Sequence, residues 1–210
     1  MPRQPERAGA HTTAVCNCVI SREMQAKRNG EIQVVVGPMF SGKTTELLRR
    51  LHRYHLAQRR VVAVKSMHDT RYTQEPIIQT HGQQQWTRTV VASQLTDVQV
   101  DADVIGVDEG QFYPDLVEVC ERWANAGIIV VVAMLDGTYA REPFPDHSLA
   151  RLMARAESIT KLTAVCSCGA DAAFTMLTTQ EHGDDTGRLV GGSERYKAAC
   201  RACHGINSLQ

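Results

Sequence analysis

Residues 37 to 44 read Gly37-Pro38-Met39-Phe40-Ser41-Gly42-Lys43-Thr44, which satisfies G-x-x-x-x-G-K-[ST] at every position. In such a loop the glycines let successive backbone N–H groups turn toward one centre, and the helix that follows adds partial positive charge. Lys43 then reaches the outer phosphates, and the Thr44 hydroxyl can ligate Mg²⁺. The chemistry is polyphosphate binding, and the expected ligand is a nucleoside triphosphate. A Gly-rich turn feeding an ordinary helix would need neither the lysine nor the threonine.

A phosphate loop names a ligand, not a reaction, so a partner carboxylate matters. The run Val104-Ile105-Gly106-Val107-Asp108-Glu109 supplies two. An apolar strand ending in Asp puts Asp108 at the carboxyl edge of a sheet, where it can hold Mg²⁺ directly or through water. Glu109 is then free to accept a proton from an attacking hydroxyl or to orient a hydrolytic water. Neighbouring strand residues face opposite ways, so this division needs a bend, and Gly110 would permit one. Asp69-Thr70-Arg71 follows the second strand at the same edge. Arg71 could stabilise charge on the transferring phosphoryl group, with Asp69 orienting it or touching the metal; a surface turn with a local ion pair fits these residues nearly as well.

The seven cysteines are Cys16, Cys18, Cys120, Cys166, Cys168, Cys200 and Cys203, an odd number that suits thiols or metal ligands better than disulfides. Cys166-Ser167-Cys168 and Cys200-Arg201-Ala202-Cys203 form two close pairs, the arrangement of a structural zinc site closing two knuckles. The C-x-C pair is tighter than usual. Either both of its sulfurs ligate through an altered turn, or His182 or His204 replaces one. Cys16-Asn17-Cys18 has no second pair nearby and reads as incidental.

The elements that must position these groups follow from periodicity. Ile32-Gln33-Val34-Val35-Val36 is short, apolar and β-branched, as in a buried parallel strand, and Leu47, Leu48, Leu51 and His55 recur at helical spacing after the loop. Further strands are expected at residues 61–65, 104–107 and 128–134. Leu116, Val119, Cys120 and Trp123 share a helical face that ends before Gly127. The alternation implies an α/β fold, a parallel sheet with helices on both faces. The polar stretch 69–86 is long enough for a functional loop and is expected to be exposed.

Four segments result: a polar extension at 1–30, an α/β unit at 31–157, a small metal-stapled unit at 158–205 and a tail at 206–210. Arg3, Arg7 and Arg22 would suit a transit peptide in the extension, but Glu6 and Glu23 would not. Lys plus Arg number 23 and Asp plus Glu 23, so the chain as a whole exerts no net pull on a polyanion. No apolar run approaches the ~18 to 20 residues that span a bilayer, and a cytoplasmic setting is expected.

With these residues assembled, the chain resembles the thymidine kinases of the cytosolic and viral-bacterial type, a family with a small zinc domain. The resemblance runs from about Ile32 to Cys203. It rests on the phosphate loop continued through Thr45-Glu46-Leu47, on Asp69-Thr70-Arg71-Tyr72, Asp108-Glu109-Gly110-Gln111-Phe112 and Leu135-Asp136-Gly137-Thr138, and on Gly191-Gly192 with Tyr196. It implies a phosphate-loop, RecA-like sheet with a zinc-ribbon-like unit and a lasso loop. The implied reaction is transfer of the ATP γ-phosphate to the thymidine 5′-hydroxyl, with Mg²⁺ on Thr44 and Asp108, Glu109 as general base, and Lys43, Asp69 and Arg71 around the phosphates. Met39, Phe112, Leu135, Tyr139 and Phe144 would surround the base, and Leu189, Val190, Gly191 and Tyr196 would close over it. Zn²⁺ on Cys166, Cys168, Cys200 and Cys203, a homotetramer and inhibition by the end-product triphosphate, dTTP, are implied as well. The chain departs from the family in its C-x-C pair, where C-x-x-C is usual, in Tyr139, where Phe is common, and in its extension.

A rival of another class is a nucleic-acid-binding phosphate-loop NTPase with a zinc ribbon. It would want a basic, aromatic-studded face, which the balanced charge and only eleven aromatic residues (two Trp, five Tyr, four Phe) disfavour. A nucleotide sensor, with Glu109 merely structural, is the third reading.

Overall fold

The computed structural model describes residues 30–67, 77–80, 85–178, 192 and 194–207. Strand β1 (Glu31–Gly37) runs into the phosphate loop and helix α1 (Lys43–Leu56) leaves it. Then follow β2 (Val61–Ser66), a short antiparallel ladder of β3 (Ile78–Gln79) and β4 (Gln85–Trp86), β5 (Thr89–Ala92) and β6 (Val104–Val107). Helix α2 (Leu116–Asn125), β7 (Ile129–Leu135), α3 (Ser148–Met153) and β8 (Ser158–Lys161) complete the main layer. The strands lie in the order β5-β2-β6-β7-β1-β8, and each neighbouring pair is parallel.

These strands are almost continuously apolar because both faces are covered. On one face Val131 and Ala133 of β7 pack with Leu47, Leu48 and Leu51 of α1. On the other, Val130, Val132 and Met134 pack with Leu116, Val119, Cys120 and Trp123 of α2 and with Leu152 of α3. Gly106 in β6 allows α1 to lie close, since a Cβ there would stand 2.6 Å from Leu51 Cδ1. Beyond α2, Gly127 adopts φ 88°, the left-handed turn that glycine favours just past a helix.

The structure departs from the sequence reading in three places. β5 has no counterpart among the expected strands. β8 lies beyond residue 157, yet it pairs with β1 from Gln33↔Ser158 to Val36↔Lys161 and so extends the main sheet. The stretch 69–86 is not wholly exposed, because Ile78 and Trp86 are buried against α1. The apolar edge of α1 needs a cover, and the β3–β4 ladder provides it, with Trp86 edge-on to His52 and His55 at 5.8 and 5.9 Å between ring centres.

The remaining elements form the small unit: β9 (Ala164–Val165) with β10 (Asp171–Ala172), β11 (Phe174–Leu177) with β12 (Tyr196–Ala199), and α4 (Arg201–Asn207). Its apolar centre is little more than Ala164, Cys166 and Ala172, with Phe40, Ala198, Cys200 and Cys203 packed against it. So small a core needs a staple. Among the described residues, no helix is long and apolar enough to cross a membrane.

Candidate functional site

The phosphate loop folds around its own carbonyls. Lys43 Nζ donates to Pro38 O at 2.7 Å, and Ser41 Oγ donates to the same oxygen at 2.8 Å. Gly42 caps α1 in the left-handed region at φ 81°, which starts the helix at Lys43 and keeps that lysine buried. Phe40 is also left-handed at φ 65°, a conformation costing a non-glycine residue about 1–2 kcal/mol. Its ring packs on the cysteine unit, and that packing holds it there. Gly37 is required by proximity, since a Cβ would meet Leu162 O at 2.6 Å.

Strand β7 lies between β1 and β6, so the loop and Asp108 leave strands that do not touch. Helix α1 crosses the gap, resting on Val131 and Ala133 of β7 and on Gly106 of β6. Its second residue thereby meets Asp108: Thr44 Oγ1 donates to Oδ1 at 3.2 Å and lies 3.3 Å from Oδ2. Hard oxygen donors of this kind suit Mg²⁺.

Glu109 follows in a left-handed conformation, φ 51° and ψ 51°, at the head of a short 3-10 turn, Gly110–Phe112. The bend expected at Gly110 is thus made by Glu109 itself. Gly110 serves space instead: a Cβ there would stand 2.8 Å from Val132 Cγ1 and 3.3 Å from Leu116 Cδ2. The Glu109 carboxylate accepts Gln111 Nε2 at 2.5 Å, and Gln111 Oε1 accepts the N–H of Leu135 at 3.1 Å. Asp108, Glu109 and Gln111 are all buried.

Beside them opens a small cavity lined by Met39, Gln111, Phe112, Leu135, Gly137, Thr138, Tyr139, Phe144, Thr175 and Tyr196. Met39, Phe112, Leu135, Tyr139, Phe144 and Tyr196, six of the residues that the resemblance assigns to the nucleoside, therefore surround one space. Sequence reasoning gave no role to Gln111 and missed Thr175, whose hydroxyl accepts the buried N–H of Met39 at 3.0 Å. Gln111 stood inside a quoted motif, so it had a signal. Thr175 had none, being an ordinary strand residue until the chain folds. Asp69, Arg71, Leu189, Val190, Gly191 and His182 lie outside the described residues.

The four paired cysteines come together. Their Sγ atoms all lie within 4.8 Å of one another, and Cys168 Sγ is 3.7 Å from Cys200 Sγ. A tetrahedral zinc with ~2.3 Å bonds has sulfur edges of about 3.8 Å, so the set fits that metal. The tight C-x-C pair delivers both sulfurs through a turn in which Gly169, at φ 87°, donates to Cys166 O at 2.8 Å. His204 lies outside this cluster; its Nε2 lies 2.9 Å from Tyr139 O, and since that carbonyl can only accept, Nε2 carries the proton. Backbone N–H groups of Cys168 and then Cys200 lower the Cys166 thiol to about 6, favouring the thiolate that a metal requires. The surrounding sulfurs, Cys200 foremost, push Cys203 up to about 12.

The family model described as thymidine kinase matches residues 30–204, which takes in the phosphate loop and both cysteine pairs. The thymidine kinase of Vaccinia virus (strain Western Reserve) is 44% identical over 179 residues, 83% of this chain and 97% of its own. The cytosolic thymidine kinase of Homo sapiens is 45% identical over 184 residues, 85% of this chain and 75% of its own. Thymidine kinase 1 of Dictyostelium discoideum is 45% identical over 182 residues, 83% of this chain and 78% of its own. With the loop, the paired acids and the cysteine cluster all inside the matched span, the chain belongs to the thymidine kinase family.

Proposed function

We propose that the protein transfers the γ-phosphate of ATP to the 5′-hydroxyl of thymidine, giving thymidine 5′-monophosphate for DNA precursor synthesis. The observation that carries this reading is Met39, which belongs to the phosphate loop and also lines the apolar cavity. A nucleoside held in that cavity would have its sugar directed toward the phosphates.

Phosphoryl transfer asks mainly for positioning and charge neutralisation. Loop amides and Lys43 bind the polyphosphate, with Asp69 and Arg71 beside it. Thr44 and Asp108 would hold Mg²⁺, which neutralises charge on the phosphate oxygens. The 5′-oxygen attacks the γ-phosphorus, the bond to the β–γ bridging oxygen breaks, and ADP departs with that electron pair. Glu109 accepts the hydroxyl proton as the new bond forms. Met39, Phe112, Leu135, Tyr139 and Phe144 surround the pyrimidine, and residues 189–196 close over it as a lasso. The four cysteines would hold a structural Zn²⁺ that takes no part in the chemistry. A homotetramer in the cytosol, restrained by dTTP, completes the proposal.

The test is ATP consumption against a panel of nucleosides. Thymidine is expected to be turned over best and deoxyuridine roughly 10–200-fold less efficiently, the worth of one methyl group in an apolar pocket. Purine nucleosides should be idle. Equal turnover of a purine nucleoside would overturn the proposal.

A further inference from the structure

Gln111 joins two things that the reaction needs held together. Its Oε1 accepts the N–H of Leu135 at the end of β7, its Nε2 donates to Glu109 Oε2, and the residue is only 2% exposed. The orientation of its amide is not free. A backbone N–H can only donate, so Leu135 must face the oxygen, and the nitrogen is thereby turned to Glu109.

We infer that Gln111 is a positioning residue for the phosphoryl transfer, tethering the Glu109 carboxylate to the backbone at the end of β7. The inference rests on the reading of Glu109 as the base. Glu109 occupies a backbone conformation that glutamate does not hold unaided, and its side chain has three torsions of its own. Leu135 also lines the cavity. One amide therefore ties the proton acceptor to the wall against which the pyrimidine would rest, and the distance between them becomes a property of a buried strand.

The experiment is a double-mutant cycle on the full chain: Gln111→Leu, Glu109→Gln and the two combined, with kcat, both KM values and the thermal midpoint recorded. Gln111→Leu is expected to lower kcat on the order of 10²-fold, the effect of a small misplacement, while the KM for ATP stays unchanged. In the Glu109→Gln background the same change should cost nothing more, since no base remains to be placed. A full additional loss in that background overturns the inference, because Gln111 then acts by itself. A Glu109→Gln enzyme with wild-type kcat overturns the base reading, and this inference with it. Should Gln111→Leu fail to fold, Gln111→Met takes its place; if neither folds, Gln111 is a core strut and the inference fails.

Discussion

The backbone N–H of Met39 donates to the hydroxyl of Thr175 at 3.0 Å, a buried bond between residues 136 positions apart. It makes the cysteine-bearing unit a wall of the phosphate loop, since Thr175 belongs to β11. Phe40 reinforces the link by packing among the cysteines.

Thr175→Val should therefore leave the Met39 N–H buried without its acceptor and destabilise the protein by about 1–3 kcal/mol. The measurement is the denaturant midpoint, read at unchanged slope. Thr175→Ser keeps the hydroxyl and should recover most of the loss. Valine at 175 should also raise the KM for both ATP and thymidine, because the loop residue it frees borders both.

The sulfur cluster predicts one zinc ion per chain by elemental analysis, lost in Cys200→Ser. The thermal midpoint should fall with it by at least about 4–8 °C, the shift that 2 kcal/mol produces in a chain of this size. A metal-free wild-type protein of unchanged midpoint would remove zinc from the account.

Glu46 gives a pH prediction. Its carboxyl is lowered from 4.5 to about 2, first by the hydrogen bond from Arg49 and then by Arg50, outweighing partial burial. A depressed acid contributes stability above its unfolded value and loses it as the pH falls. Glu46→Gln should thus cost about 0.2–1 kcal/mol at neutral pH. That cost should shrink steadily below pH 4.5 and be almost gone near pH 2. Parallel denaturation curves across this range decide it, and a cost that does not change with pH would exclude the charge as its cause.

Gly110→Ala should be destabilising by about 1–3 kcal/mol through overpacking against Val132 and Leu116. Because Glu109 is next in the chain, kcat should fall as well. A fully active and fully stable Gly110→Ala would mean that the turn has slack that the packing does not suggest.

What the sequence made legible was local or periodic. The loop is a contiguous motif, and β1, β2, β6 and β7 announce themselves as apolar runs that a two-sided burial demands. Glu109 and the four cysteines were visible as residue types at known spacings. What was hidden depended on distant partners. The strand at Thr89–Ala92 is only four residues, Thr-Val-Val-Ala, too short a run to stand out, and its ladder with β2 makes it a strand. Trp86 looked like part of a polar loop until α1 offered it a surface. Ser158–Lys161 is mostly polar, as an edge strand can be, so its texture pointed away from the sheet it completes. The reason for Gly110 was misjudged similarly, because crowding by Val132 cannot be seen from the residues beside it.

The insertion of β7 between β1 and β6 bears on how the protein is made. Ribosomes deliver β1, α1, β2 and β6 first, yet the spacer strand that sets the distance from Thr44 to Asp108 emerges only afterwards. A nascent chain that ends before Ile129 already holds the phosphate loop and Asp108 but not the strand that stands between theirs. The spacing of loop and acid is therefore fixed only when a strand made later slides between two made earlier.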